Sequence, residues 1–119
     1  MLDWIKGRWQ SLGYALKGVW GILSSGTNML IMLLAVVVVS GAGIYFQIDK
    51  HDWALVTIAF TMVIVAEGFN TAIERLTDLV HPHHDPSAGK VKDIASGAVL
   101  LAVLGSLVIA SVVFGKYLW

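Results

Sequence analysis

No cysteine occurs anywhere in this 119-residue chain, which excludes disulfides and thiolate metal sites and leaves the redox compartment unread. Proline is nearly absent too: the only two are Pro82 and Pro86, close together. Charge is scarce, at 13% of residues against about 25% in an ordinary soluble domain. Eight basic and eight acidic residues cancel to a net charge of zero, which argues against a nucleic-acid partner. The opening residues, with Asp3, Trp4, Lys6 and Arg8, lack the apolar core and small-residue cleavage site of a signal peptide. No internal repeat or low-complexity tract breaks the chain, and its length suits one domain.

What the sequence has in excess is apolar: 57% of residues are hydrophobic. They are gathered into runs rather than spread along a pattern of amphipathic elements. Residues 29–48 carry no charge, and about 20 such residues make a helix long enough to cross a bilayer. Residues 94–115 form a second uncharged run. Between them, 53–73 is interrupted only by Glu67, and its helix is expected to continue to about residue 78. The sequence thus predicts an all-α membrane protein with three transmembrane helices, near 29–48, 53–78 and 94–115. Asp49–Asp52 is expected to be a tight turn joining the first two as an antiparallel hairpin. The stretch 79–92, with both prolines and Gly89, is expected to be a loop.

Lys and Arg set the orientation. Lys6, Arg8 and Lys17 precede the first span, and Arg75, Lys90 and Lys92 lie around the connection between the second and third. Only Lys50 and Lys116 fall on the other side. The positive-inside rule places the N-terminus and the 75–93 segment in the cytoplasm and the C-terminus outside. Trp4, Trp9, Trp20, Trp53 and Trp119 all fall near the expected interfaces, as an aromatic belt would. Residues 1–23 read as an amphipathic surface helix. Trp9, Leu12, Leu16, Val19, Trp20 and Leu23 recur at helical steps, with Lys6, Gln10 and Lys17 elsewhere. Such a stripe either lies in the headgroup plane or packs on the bundle, and the two are compatible. In the third span Ala98, Ala102, Ser106 and Ala110 make a line of small residues that lets helices approach closely in lipid.

The chemistry is concentrated at the end of the second span. Glu67, Asn70, Glu74 and Asp78 advance by three, four and four residues, so they share one stripe of a helix. Fourteen uncharged residues, 53–66, precede Glu67, which places it within the cytoplasmic leaflet. A carboxylate at that depth is costly and normally faces a bundle interior or polar cavity; a purely structural hydrogen bond between helices is the plainer alternative. Glu74 and Asp78 alone would be ordinary solvated charges. Aligned with Asn70, they offer hard oxygen ligands of the kind Mg²⁺ takes when it carries nucleotide phosphates. A desolvated carboxylate in the set also suits a general base. Further on, Lys90 and Lys92 can hold phosphate oxygens, and Asp93 can cap the third span; read alone, they are a basic flank with a helix cap.

Taken together, these blocks resemble a known family. Glu67-x-x-Asn70-Thr71-Ala72-Ile73-Glu74-x-x-x-Asp78 is followed by Ala88-Gly89-Lys90-x-Lys92-Asp93-x-Ala95-x-Gly97-Ala98. With Ser11-x-x-Tyr14-Ala15-x-Lys17-Gly18 near the start, the chain is similar over nearly its whole length to the prokaryotic diacylglycerol and undecaprenol kinases. The resemblance implies a homotrimer of three-span subunits in the bacterial inner membrane. It implies transfer of the ATP γ-phosphate to a lipid hydroxyl at the cytoplasmic face, with Mg²⁺ as the metal. By position, Glu67 matches the family's base and Glu74 a metal-binding carboxylate. Asn70, Asp78, Lys92 and Asp93, together with Glu74, match ATP- and phosphate-site residues. Thr71 leans toward the undecaprenol branch, while no residue identifies a lipid-binding site.

One position departs from the family. A Glu normally stands shortly before the first span and shares the metal site, but Gly26 occupies that place in Ser24-Ser25-Gly26-Thr27-Asn28. No other acidic residue lies between Asp3 and Asp49 to replace it. That loss supports a rival reading, a catalytically degenerate member acting as a structural or accessory membrane subunit. A third reading, an ion-conducting bundle built on Glu67, is poorly served by one intramembrane carboxylate. His81, His83 and His84 with Asp85 sit in a proline-broken stretch and lack the further fixed ligands a structural metal site needs. Gly41-Ala42-Gly43 is no nucleotide fingerprint, since no strand precedes it and the spacing fails.

Overall fold

A computed structural model describes residues 1–118; Trp119, one of the five interface tryptophans expected from the sequence, lies outside the described residues. The described chain is four helices in sequence: α1 (Leu2–Leu23), α2 (Thr27–Phe46), α3 (Lys50–Val80) and α4 (Pro86–Leu118). The last three are long and apolar enough to cross a membrane. The protein is an all-α membrane protein. Its extents of 51 × 49 × 20 Å describe a flat object in which α1 reaches away from the bundle instead of lengthening it.

No residue of α1 is buried. Its apolar stripe is exposed from Trp9 (69%) to Trp20 (71%), so it does not pack on this chain's own spans. What holds α1 is its C-terminal end, where Ile22 lies against Gly68 of α3. The break to α2 is made by Gly26, at φ 133° and ψ −164°, a backbone region open almost only to glycine.

The α2–α3 turn is a helix stop followed at once by a helix start. Gln47 takes the left-handed conformation (φ 52°), its N–H donating to Ile44 O at 3.2 Å while Ile48 N donates to Gly43 O at 3.1 Å. This is the paired closing pattern of a Schellman motif, and Ile48, buried, supplies the apolar contact that accompanies it. Asp49 then caps α3, its Oδ1 accepting the Asp52 N–H at 2.9 Å. The turn expected at Asp49–Asp52 therefore sits slightly earlier, at 47–49, and Asp52 already belongs to α3.

Two expected boundaries move further. The 79–92 loop shrinks to His81–Asp85, because α3 runs on to Val80 and α4 begins at Pro86. Proline is well suited to the first position of a helix, where no N–H is required. Asp85 stands before it and accepts from Ser87 N (2.8 Å) and Ala88 N (3.1 Å). Asp85 is thus the cap assigned from sequence to Asp93, which lies inside α4.

α3 and α4 pack along their length. Buried Ala59, Ala95 and Ala102 permit the approach, and Ser106 Oγ donates across to Ala59 O at 3.3 Å as well as to Ala102 O in its own helix. Of the small-residue line, Ala102 is buried at this contact and Ala98 is exposed. The end that holds the α2–α3 turn is tightly packed. Ile48, Val56 and Val113 form a core surrounded by Val39, Phe46, Trp53, Phe60, Ile109 and Phe114. Lys116 Nζ donates to Asp52 Oδ2 at 2.6 Å beside it, tying the start of α3 to the end of α4.

Candidate active site

At the other end of α3 the apolar sequence gives way to the polar stripe. Glu67 (7% exposed) and Asn70 (8% exposed) are both buried even in the isolated chain. The residue after Glu67 marks where α1 meets α3. Gly68 has no side chain, and Ile22 fills the space so closely that a Cβ there would lie 2.9 Å from Ile22 Cδ1. The end of α1 is thereby packed one residue from Glu67 along α3. Sequence reasoning passed over Gly68; its signal was a glycine directly following a carboxylate in an otherwise apolar span.

Asn70 Oδ1 is a buried acceptor with no hydrogen-bond partner among the described residues. A buried acceptor left unpaired costs free energy, and such groups are normally met by protein, ordered water or an ion. Asn70 also lines an open groove of about 500 Å³ between α3 and α4, with Ala66, Phe69, Ala98 and Ala102 among its walls. A second cavity, about 350 Å³, separates α2 from the α3–α4 pair; it is lined by Val63, Ile64, Ala35 and Ala110 and reaches Asn28 at the start of α2.

Glu74 is half-buried, two turns beyond Glu67 and about 10 Å further along the helix axis. Asp78, one turn on, is joined to α4 by an ion pair, with Lys92 Nζ donating to its Oδ1 at 2.5 Å. That pair exists because α4 starts early: a loop through residue 92 would not have carried Lys92 back along α3. Asp93, on the next residue of α4, is exposed and makes no side-chain hydrogen bond or ion pair among the described residues. The stripe thus resolves into a buried pair, a half-buried carboxylate and an exposed ion pair on one side of the molecule. Among the described residues no three His, Asp or Glu side chains gather closely enough to hold a metal ion unaided. Gly26 is exposed, and a Cβ on it would meet nothing within 4 Å among the described residues. His81, His83 and His84 are exposed in the short loop.

Residues 13–114 match the family model described as prokaryotic diacylglycerol kinase. The chain belongs to that family. It is 28% identical over 105 residues to an undecaprenol kinase of Bacillus subtilis, covering 88% of this chain and 85% of the relative. It is 29% identical over 103 residues to a diacylglycerol kinase of Helicobacter pylori, covering 87% of this chain and 75% of the relative. A diacylglycerol kinase of Escherichia coli is 29% identical over 77 residues, 65% of this chain and 60% of the relative. The family and these relatives are lipid kinases, and the diacylglycerol kinase match spans all of α2 and α3, most of α4 and the second half of α1.

Proposed function

We propose that this protein is an ATP-dependent lipid kinase, transferring the γ-phosphate of ATP to the hydroxyl of a membrane lipid, diacylglycerol or undecaprenol, at the cytoplasmic face. The observation that carries the reading is the buried pair Glu67 and Asn70, set at membrane depth on the side where the basic residues collect. A lipid alcohol presents its hydroxyl at that depth, while ATP arrives from water, so a carboxylate between the two is placed for both.

In this reading Glu67 is the general base. Its carboxylate accepts the proton of the lipid hydroxyl as that oxygen forms its bond to the γ-phosphorus, and the bond from phosphorus to the β-bridging oxygen breaks to release ADP. Glu74 and Asn70 fit a hard cation: both offer oxygen, and Asn70 Oδ1 is buried with its lone pairs unspent. Mg²⁺ is usually held by one or two carboxylates with phosphates and water completing the shell, so a site this sparse in protein ligands suits it. Bound there, it would neutralise phosphate charge. Lys92, Asp93 and Asp78 lie toward the aqueous end, where the triphosphate would extend. Burial of Glu67 excludes water from the acceptor hydroxyl and favours transfer to lipid over hydrolysis.

The same reading includes a homotrimer, an inner-membrane location and a cytoplasmic N-terminus. The open, alanine-lined groove between α3 and α4 is the feature that a neighbouring subunit would fill. The degenerate reading rests on Gly26 alone. Wild-type protein in vesicles, given ATP and either alcohol, separates them: phosphorylated lipid supports the kinase, and its absence with both alcohols supports the accessory subunit.

A further inference from the structure

The ion pair between Asp78 and Lys92 is at odds with a role for Asp78 as a ligand to the nucleotide or its metal. Its side chain is 62% exposed, by far the wettest on the stripe, and its Oδ1 is engaged by the Lys92 ammonium. A bare carboxylate in that position would repel phosphate. Paired, its charge is cancelled, and the ammonium, which has three N–H donors and no acceptor, spends one on Asp78 and keeps two. An exposed pair of this kind contributes little to stability. Its effect is to choose one position for a long, flexible side chain: it joins residues fourteen apart across the α3–α4 junction and fixes the lysine above the cytoplasmic end of α3.

We propose that Asp78 is a positioning residue, holding the Lys92 ammonium so that its two remaining N–H groups meet phosphate oxygens of the incoming nucleotide. The inference rests on the kinase reading for the identity of that nucleotide. Asp78→Asn should raise KM for ATP about two- to fivefold, the range an exposed pair can carry, with kcat changed less than about twofold, and Asp78→Glu should recover part of the loss. Lys92→Ala should raise KM at least as much, and the double variant should be no worse than Lys92→Ala, since residues acting as one unit are not additive. Independent, multiplying losses would mean that Asp78 contacts the nucleotide or metal itself and would overturn the proposal.

A second readout needs no turnover. Acylation of Lys92 by an amine reagent, followed by mass spectrometry, should be slow in the wild type, faster in Asp78→Asn, and suppressed by ATP in the wild type. Equal Lys92 labelling in both proteins would show that the pair does not form in the membrane. Labelling that ATP leaves unchanged would show that the lysine is not held for phosphate. Protection by ATP without phosphorylation of either lipid would leave the role of Asp78 standing and remove the kinase reading instead.

Discussion

At the residue scale, Glu67 and Gly26 carry most of the meaning. Glu67→Gln should lower kcat by about 10²- to 10⁴-fold while leaving KM for ATP nearly unchanged, as loss of a general base does; steady-state kinetics in vesicles measures it. The stripe itself was legible in the sequence, because helical spacing alone aligns residues 67, 70, 74 and 78. Which members would be buried was not, because burial is set by contacts between helices distant in sequence, such as Ile22 against Gly68, 46 positions on. Gly26 was legible as a missing carboxylate but not as a backbone device. At φ 133° any side chain is strained, by about 1–3 kcal/mol, however open the surrounding space. Gly26→Glu must therefore be compared with Gly26→Ala and not with wild type. If a carboxylate belongs there, the Glu variant should need less Mg²⁺ than the Ala variant for half-maximal activity, while both melt at a similarly lowered temperature.

At the scale of elements, the three spans were plain from hydropathy, and their ends were not. A proline read as a breaker turned out to be the first residue of α4, and the aspartate before it the cap. Backbone N–H groups of Ala88, and then Ser87, hold the Asp85 carboxyl below the ordinary carboxylate range. A depressed pKa contributes stability that is full above the unfolded value near 4 and is lost as pH falls through the folded one. The start of α4 should stay intact at neutral pH and fray only in acid, and Asp85→Asn should remove that acid dependence; amide exchange at 86–90 reads both. At the opposite end, Asp52 and Lys116 are 64 residues apart, a separation at which no local pattern reveals a pair. Removing the lysine alone leaves a carboxylate that is nearly buried without its counter-charge. Lys116→Met should therefore lower the melting temperature in detergent more than the double variant Asp52→Asn/Lys116→Met does.

On the scale of the whole molecule, one end is closed and the other open. The aromatic and aliphatic cluster with its ion pair fixes α2, α3 and α4 together at the end that holds the α2–α3 turn, whereas α2 stands off the α3–α4 pair along a cavity and α1 is attached by its last turn. The groove at Asn70 and the bare stripe of α1 are surfaces that the single chain does not satisfy, which is why subunit number was readable only through family resemblance. Cysteines introduced at Ser87 and Lys50 should react with an impermeant reagent from opposite sides of the membrane, the first from the cytoplasm. Mass measurement in mild detergent should give three copies per particle. Above these stands the central claim, that this helical bundle moves phosphate from ATP to a lipid alcohol. It is tested most directly by purified wild type and Glu67→Gln in vesicles, each with diacylglycerol or undecaprenol, following label from the ATP γ-position into lipid. The expected result is labelled lipid from the wild type with at least one alcohol, reduced at least about a hundredfold by Glu67→Gln. Labelling by both proteins at equal rates would remove Glu67 from the chemistry, and none from folded wild type with either alcohol would contradict the kinase itself.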